Sequence, residues 1–301
     1  MPLKLSPSVV AFTLVGLLSC STTIFILIPP NLQGSRGVDN EGYFGKVTSE
    51  IDWCENNYVH TRYIAEFANS TTSLIYCLLA VFSYIESMEQ LSKDPGAIKF
   101  QLLLVSLWSV GIGSTLFHGT LLYWAQLLDE LPMVYLICSA GFIVSTQSSI
   151  HLTPAQAKTG KLYIFGCLLL TLTIVLTAQG THVHNAARGA GAVAFAINLV
   201  FVFHGSSRSA AVVSSIDPSS GVEMNDLFAH GFVCMVLSLV SWILDSIFCE
   251  QLLAFSPRVF LNFHAFGWHV FTSLAVYYMY KALIVERSLI LKRGDKMGKI
   301  T

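Results

Sequence analysis

Three histidines, a serine and an aspartate lie in apolar stretches of this chain, where polar and ionisable groups are costly and often functional. Ser114 and His118 are four residues apart, so on a helix their side chains share one face, one turn apart. Asp129 follows eleven residues after His118, and the short connection predicts that the chain turns back and returns to the same depth. These spacings predict a hydroxyl, an imidazole and a carboxylate at one level of the fold.

Two further imidazoles, those of His264 and His269, lie in the last apolar stretch. If the apolar segments alternate in direction, all three histidines meet at one level. Three neutral imidazoles with an open fourth position are a known arrangement for catalytic Zn²⁺, which lowers the pKa of a bound water to about 7. Asp129 would then act as general base and acid, and Ser114 would donate to the developing oxyanion. The alternative is structural: Ser114 bonds to its own helix, and Asp129 forms a cap or a pair.

The spacing of His264 and His269 is unusual for a shared ligand site. On a regular α-helix, residues five apart point about 140° from one another, whereas residues four apart point about 40° from one another. A π-bulge makes residues i and i+5 neighbours, and Gly267 between the two histidines favours a local distortion. Two alternatives stay open: His264 lies in a non-helical segment that precedes the helix, or this pair does not bind metal.

A second cluster is acidic and begins just before the apolar run Tyr63–Ile85. Asp52, Glu55 and Asn57 are followed by Glu66, which lies inside an apolar run. Oxygen ligands of this kind suit Ca²⁺, and a carboxylate in an apolar run favours a cation nearby. The alternative is an ordinary acidic loop.

The composition determines which elements must position these residues. Hydrophobic residues make up 53% of the 301 residues and charged residues only 12%, which is typical of a membrane protein. A net charge of −1 without a basic cluster outside the C-terminus argues against nucleic-acid binding. Backbone groups in lipid must bond within their own segment, so we expect an all-α integral membrane fold. The apolar runs long enough to cross a bilayer are Val9–Ile28, Tyr63–Ile85, Ile98–His118, Leu122–Ser145, Leu162–Ala178, Ala187–Phe203, Leu227–Ile247 and Val259–Ile284.

The first run differs from the other seven, because it suits either a signal anchor or a cleaved signal peptide. Lysine and arginine between the runs favour the side of the C-terminal tail. We therefore expect a cytosolic C-terminus and a luminal or external Asn31–Thr61. Cys54 and Cys249 both fall on that luminal side, which predicts a disulfide in an oxidising compartment. The serine-rich stretch Gly205–Asp226 is predicted to be a flexible cytosolic loop.

These motifs resemble the alkaline ceramidase family from about Glu41 to Arg287. The similarity lies in three places: Gly42 to Asn69, with Asp52-Trp53-Cys54-Glu55-Asn56-Asn57; Gly113 to His118; and Gln126 to Met133. The resemblance implies a seven-helix bundle, here with an additional N-terminal hydrophobic segment. It also implies a membrane enzyme of the endoplasmic reticulum or Golgi that hydrolyses the amide bond of ceramide.

The family's site residues carry over onto matching positions of this chain. The resemblance implies zinc on His118, His264 and His269, with Ser114 and Asp129 as catalytic residues. It implies calcium on Asp52, Trp53, Glu55, Asn57 and Glu66, the tryptophan through its carbonyl, and a disulfide between Cys54 and Cys249. The corresponding division of the chain is an N-terminal segment 1–31, a luminal segment 32–61, a seven-helix core 62–287 and a basic cytosolic tail 288–301. One departure is that the family's last histidine pair is typically four residues apart.

Two other functions are compatible with the same residues. The first is a hydrolase that acts on another lipid by the same zinc chemistry. The second is a seven-helix lipid receptor similar to the adiponectin and progestin receptors, in which zinc is kept but turnover is slow or absent. A receptor needs the metal but not a positioned acid-base group, so Ser114 and Asp129 favour the enzyme.

Overall fold

The structure is a computed structural model and describes residues 42–146, 154–255 and 262–298. The predicted N-terminal run Val9–Ile28 and the start of the predicted luminal segment lie outside the described residues. The described helices are α1 (Phe67–Leu91), α2 (Ala97–Thr120), α3 (Tyr123–Thr146), α4 (Pro154–Leu176), α5 (His182–Ile216), α6 (Pro218–Ile247), α7 (Cys249–Phe255), a π-helix (Phe263–His269) and α8 (Val270–Gly298).

The all-helical class is confirmed in these residues, whose only β-type pairings are two isolated bridges. Five helices are long and apolar enough to cross a membrane: α1, α2, α3, α5 and α6. A shorter apolar helical stretch covers Gly160–Leu176. Several such helices are typical of a multi-pass membrane protein, whereas the count of seven spans remains a prediction.

One predicted segment differs from the structure. The stretch Gly205–Asp226 is helical instead of a flexible loop, because α5 and α6 are separated by Asp217 alone. Serine and alanine tolerate a helix interior, and the break occurs at Asp217-Pro218, where Pro218 takes the first helical position that proline favours. Helix α8 continues to Gly298 and so covers the described part of the stretch predicted as a basic cytosolic tail.

The described residues belong to two compact units. The first contains residues up to Phe82, Trp108–Glu130 and Val233–Val276, and the second contains the remainder. A core cluster of the first unit includes Tyr58, Ala65, Phe117, Leu121 and Ala125. A core cluster of the second unit is formed by Ile137, Val202 and Met279.

The connection between α2 and α3 determines where Asp129 lies. It consists of Leu121 and Leu122, and Leu121 has a positive φ of 52°, the left-handed geometry that often ends a helix. The carbonyl of Leu121 accepts hydrogen bonds from the N–H groups of Thr48 and Ser49, at 3.1 and 3.0 Å. The segment before α1 is thereby bound to this hairpin. The short hairpin that the sequence predicted is confirmed.

Helices α2 and α3 approach closely at Gly113. A Cβ atom at this position would lie 1.9 Å from the carbonyl oxygen of Leu128, so only glycine fits there. Pro132 lies four residues further along α3 and has no N–H with which to bond that carbonyl. Because Gly113 precedes Ser114 and Leu128 precedes Asp129, this contact brings the serine and the aspartate together.

Candidate active site

The three histidines meet in the first compact unit. Their ring centroids are 5.3 Å apart for His118 and His264, 5.1 Å for His118 and His269, and 4.7 Å for His264 and His269. One nitrogen from each ring lies within 4.8 Å of the others, and all three side chains are buried. Among the described residues, they form the one group of three or more His, Cys, Asp or Glu residues with this compactness.

The five-residue spacing is accommodated by a π-helix over Phe263–His269. The side chain of Asn262 caps its start and accepts a hydrogen bond from the N–H of Ala265 at 2.6 Å. A Cβ atom on Gly267 would lie 2.2 Å from the hydroxyl oxygen of Ser241, so α6 packs directly against the π-helix backbone. The wide turn makes residues i and i+5 neighbours, and both imidazoles therefore face His118.

Asp245 near the end of α6 fixes the start of the π-helix. One carboxylate oxygen accepts a hydrogen bond from the N–H of His264 at 3.2 Å, and the other accepts one from the N–H of Cys54 at 3.3 Å. Cys54 is joined to Cys249 by a disulfide with the Cα atoms 5.3 Å apart. The ring of Trp53 stacks on the imidazole of His264, with centroids 3.8 Å apart. The segment before α1 therefore supports one of the histidines directly.

The hydrogen bonds of the imidazoles leave nitrogens available to a metal. Glu66 lies with a carboxylate oxygen 2.5 Å from Nδ1 of His118, and the hydroxyl of Thr72 lies 2.9 Å from Nδ1 of His269. Nε2 of His118 and Nδ1 of His264 are buried and have no hydrogen-bond partner among the described residues. Buried nitrogens without partners are costly, and a carboxylate behind an imidazole is the usual support of a metal ligand. This donor set fits a divalent metal ion.

Ser114 and Asp129 come together beside these imidazoles. Ser114 and the Asp129 carboxylate are in hydrogen-bond contact, and the hydroxyl oxygens of Ser73 and Ser114 are 2.9 Å apart. Both side chains thus belong to one polar cluster that also borders His118, one turn from Ser114. The structure brings together all five residues of the predicted catalytic and zinc set.

The acidic cluster is assembled only in part as predicted. Both carboxylate oxygens of Asp52 accept from the side-chain amide of Asn57, at 3.1 and 3.3 Å, and Asp52 also lies in contact with Glu66. The amide oxygen of Asn57 is buried without a hydrogen-bond partner in the described residues. The backbone N–H of Trp53 donates a hydrogen bond to the Glu66 carboxylate at 2.9 Å.

Glu55, by contrast, caps a helix. Its carboxylate accepts the N–H groups of Ala68 and Asn69 at 2.6 and 2.9 Å, together with the side-chain amide of Asn262 at 3.1 Å. These two N–H groups lie in the first turn of α1 and have no partner within the helix. Burial raises the pKa of Glu55 to about 8, assisted by the nearby charge of Glu66. Glu66 is also buried, and Asp52 lies in contact with it, so these neighbouring carboxyl groups favour a cation.

Two site residues were missed in the sequence, Thr72 and Tyr76. Thr72 bonds to His269, and the ring of Tyr76 lies edge-on to the same imidazole with centroids 5.9 Å apart. The available signal was a polar stripe in an apolar helix, because Asn69, Thr72, Ser73 and Tyr76 recur at the helical spacing.

Comparisons with known proteins give the family of the chain. The family profile of Ceramidase matches residues 45–300. The chain is 32% identical to alkaline ceramidase 3 of Mus musculus over 270 residues, which cover 86% of this chain and 92% of that protein. It is 31% identical to an alkaline ceramidase of Saccharomyces cerevisiae over 260 residues, which cover 79% of this chain and 76% of that protein. On the strength of these matches, the chain belongs to the alkaline ceramidase family.

Proposed function

We propose that this protein is a zinc-dependent ceramidase that hydrolyses the amide bond of ceramide, or of a dihydro- or phytoceramide, within the membrane. The observation that carries the proposal is the group of three buried imidazoles next to the Ser114 and Asp129 pair. Family membership supplies the substrate class, since the relatives are named as ceramidases. The products would be a sphingoid base and a free fatty acid.

His118, His264 and His269 would hold the zinc ion. When bound, zinc acidifies a water molecule and polarises the substrate carbonyl. Asp129 would take a proton from the attacking water and deliver it to the departing nitrogen as the C–N bond breaks. Ser114 would donate a hydrogen bond to the oxygen that gains negative charge.

The residues around the imidazoles would keep this arrangement rigid. Glu66 accepts the Nδ1 proton of His118 and so leaves Nε2 with its lone pair for the metal. Thr72 holds His269 in the same way. The packing of Trp53 against His264 shields that imidazole from one side.

We propose that a calcium ion binds the acidic cluster in a structural or regulatory role. Asp52, Asn57 and Glu66 offer oxygens that lie together, with Trp53 contributing its carbonyl and Glu55 acting as both a ligand and a cap. Support comes from the buried, unpartnered oxygen of Asn57 and from the contact between the Asp52 and Glu66 carboxylates.

The topology that we propose has seven spans in the endoplasmic reticulum or Golgi membrane. The segment 31–61 faces the lumen and the C-terminus faces the cytosol. A luminal location agrees with the disulfide between Cys54 and Cys249, which an oxidising compartment maintains.

The test combines metal analysis with a conservative variant. The purified protein should contain about one zinc per chain and should release fatty acid from ceramide. Asp129→Asn should lower turnover by about 10²–10⁴-fold and keep its zinc. Glu130→Gln is the control, because the neighbouring carboxylate accepts from Gln126 at 2.7 Å and serves a local structural bond.

The results also separate the enzyme from the receptor. A folded, zinc-free protein with full activity would contradict the metal mechanism, and unchanged turnover of Asp129→Asn would show that Asp129 is structural. A zinc-loaded protein that binds ceramide without cleaving it would favour the receptor. The contact between Ser114 and Asp129 favours hydrolysis, because a receptor has no need of it.

A further inference from the structure

Tyr76 is a buried polar side chain for which the mechanism above has no role. It lies one turn beyond Thr72 on α1, with 2% of its surface exposed. Its ring is edge-on to His269, and its hydroxyl lies within hydrogen-bonding reach of Thr272. Asp129 is near enough to interact with it electrostatically. Tyr76 therefore borders both a metal ligand and the acid-base residue.

The direction of the neighbouring hydrogen bonds determines what the Tyr76 oxygen offers. The hydroxyl of Thr272 donates to the carbonyl of Trp268 in a short bond. Its oxygen is then an acceptor toward Tyr76, which donates its own proton to it. The Tyr76 oxygen keeps its lone pairs, and the Asp129 carboxylate nearby is also an acceptor.

Two acceptors at one buried place favour a ligand that brings hydrogen-bond donors. The amide nitrogen of the substrate must come close to Asp129, because Asp129 returns the proton to it. A ceramide carries hydroxyls on both carbons next to the one that bears this nitrogen, C1 and C3 of the sphingoid base. The C3 hydroxyl would reach the side of the site that Tyr76 borders.

We propose that Tyr76 is a specificity-determining residue that accepts a hydrogen bond from the C3 hydroxyl of the sphingoid base, on a carbon next to the amide-bearing one. This inference rests on the proposed function, which it refines. It identifies the substrate class as an N-acylated amino alcohol with a hydroxyl beside the amide-bearing carbon. An amide that lacks this hydroxyl leaves the buried Tyr76 oxygen without a donor, and sites built for a substrate hydroxyl discriminate against such analogues.

The second compact unit offers a matched control. Tyr280 is also 2% exposed, and its hydroxyl lies 2.6 Å from the hydroxyl of Ser87. Tyr280→Phe removes one buried phenolic hydroxyl, as Tyr76→Phe does, but in a place with no catalytic or metal-binding side chain among its described partners.

The experiment measures kcat/KM for two substrates, a ceramide and its 3-deoxy analogue, with the zinc-loaded full-length protein. The wild type should prefer the ceramide by about 10-fold, the effect of one hydrogen bond. Tyr76→Phe should lose about 10-fold on the ceramide and little on the analogue, so its preference disappears. Tyr280→Phe should keep the wild-type preference. This pairing of variant and substrate reports the contact itself, because a general structural defect would lower both rates alike.

The outcomes that overturn the inference are distinct from those that overturn the function. If Tyr76→Phe keeps the preference, or if Tyr280→Phe loses it as well, Tyr76 does not recognise the hydroxyl. If Tyr76→Phe does not fold, Thr272→Val gives the second test, since it frees the Tyr76 proton and should also reduce the preference; an unchanged preference would again overturn the inference. A zinc-loaded wild type that cleaves neither substrate would instead overturn the proposed ceramidase function.

Discussion

Replacing Glu66 by glutamine should weaken zinc binding from a position outside the metal's own ligands. The Glu66 carboxylate is fully buried, lies in contact with the Asp52 carboxylate and faces three groups that can donate a hydrogen bond to it. These are the backbone N–H of Trp53 at 2.9 Å, the side-chain amide of Asn69 at 3.0 Å and Nδ1 of His118 at 2.5 Å. A carboxylate can accept from all three, whereas a glutamine amide has only one acceptor atom.

Each of the two orientations of the new amide has a defined cost. With its oxygen toward His118 and Asn69, its NH₂ group meets the N–H of Trp53, and a buried donor faces a donor. With its NH₂ group toward His118, Nδ1 must act as acceptor, and the imidazole proton moves to Nε2. That is the nitrogen which the carboxylate leaves free for the metal.

The magnitude follows from these two cases. Loss of a supporting partner of a ligand typically lowers metal affinity 10–100-fold, which corresponds to about 1.4–2.7 kcal/mol. A buried unsatisfied donor costs about 1–3 kcal/mol of folding free energy. We therefore expect Glu66→Gln to bind zinc 10–100-fold more weakly and to unfold at a lower temperature even with zinc in excess.

The assay is a competition titration of zinc against a chromogenic chelator, with thermal unfolding recorded in parallel. Glu55→Gln is the control, because this buried carboxylate accepts from Ala68, Asn69 and Asn262 and not from an imidazole. It should lose stability and retain zinc affinity. If Glu66→Gln binds zinc within twofold of the wild type, or if both variants weaken it equally, Glu66 does not orient His118.

Three other perturbations test the architecture. Gly113→Ala should lower both thermal stability and turnover, because its methyl group would displace α3; normal values of both would show that the helices can separate without consequence. Asp94→Asn should cost about 3–5 kcal/mol in chemical unfolding, since the carboxylate forms a bidentate pair with the buried Arg287 at 2.6 and 2.9 Å; a change below 1 kcal/mol would contradict it. Mild oxidation should join the thiols of Cys138 and Cys167, whose sulfurs are 3.3 Å apart, with a loss of two hydrogens by mass spectrometry; two persistent free thiols would place α3 and α4 further apart.

The Asp94 pair also predicts a pH dependence of stability. Burial alone would raise the pKa of Asp94, but hydrogen bonds from Arg287 and from the Gly96 N–H hold it below the usual value of 3.8. For a carboxyl with a depressed pKa, the stabilisation is complete above the unfolded-state value and is lost as the pH falls through the folded-state value. The stability difference between wild type and Asp94→Asn should therefore shrink below about pH 4, as measured by unfolding midpoints.

The features that the sequence could predict are those encoded in one segment at a time. Apolar length predicts the helices, and the short connection at Leu121 brings Asp129 to Ser114, one turn from His118. The ends of α5 and α6 were not predictable in this way. Serine-rich composition is compatible with either loop or helix, and the choice depends on Asp217-Pro218 and on packing around it.

Contacts across segments were harder to predict than the segments themselves. Glu66 stands at the position before α1 where a capping side chain is expected, but its side chain is turned to His118. Glu55, eleven residues earlier, supplies the cap instead. Thr72 and Tyr76 lie on a polar stripe of α1 that the sequence shows, but their contact with His269 joins two distant segments. No local pattern in the chain specifies that partner.

The π-helix is explained by contacts that hold the chain at both of its ends. At its start, Asp245 binds the N–H groups of His264 and Cys54, and the disulfide from Cys54 to Cys249 restrains the same region. At its end, His269 is held by Thr72 of α1. A regular α-helix between these points would rotate one imidazole by about 100° per residue out of alignment. The chain has one residue more than an α-helical turn can hold between its two ligands, and a wider turn is the only helical geometry that satisfies both ends.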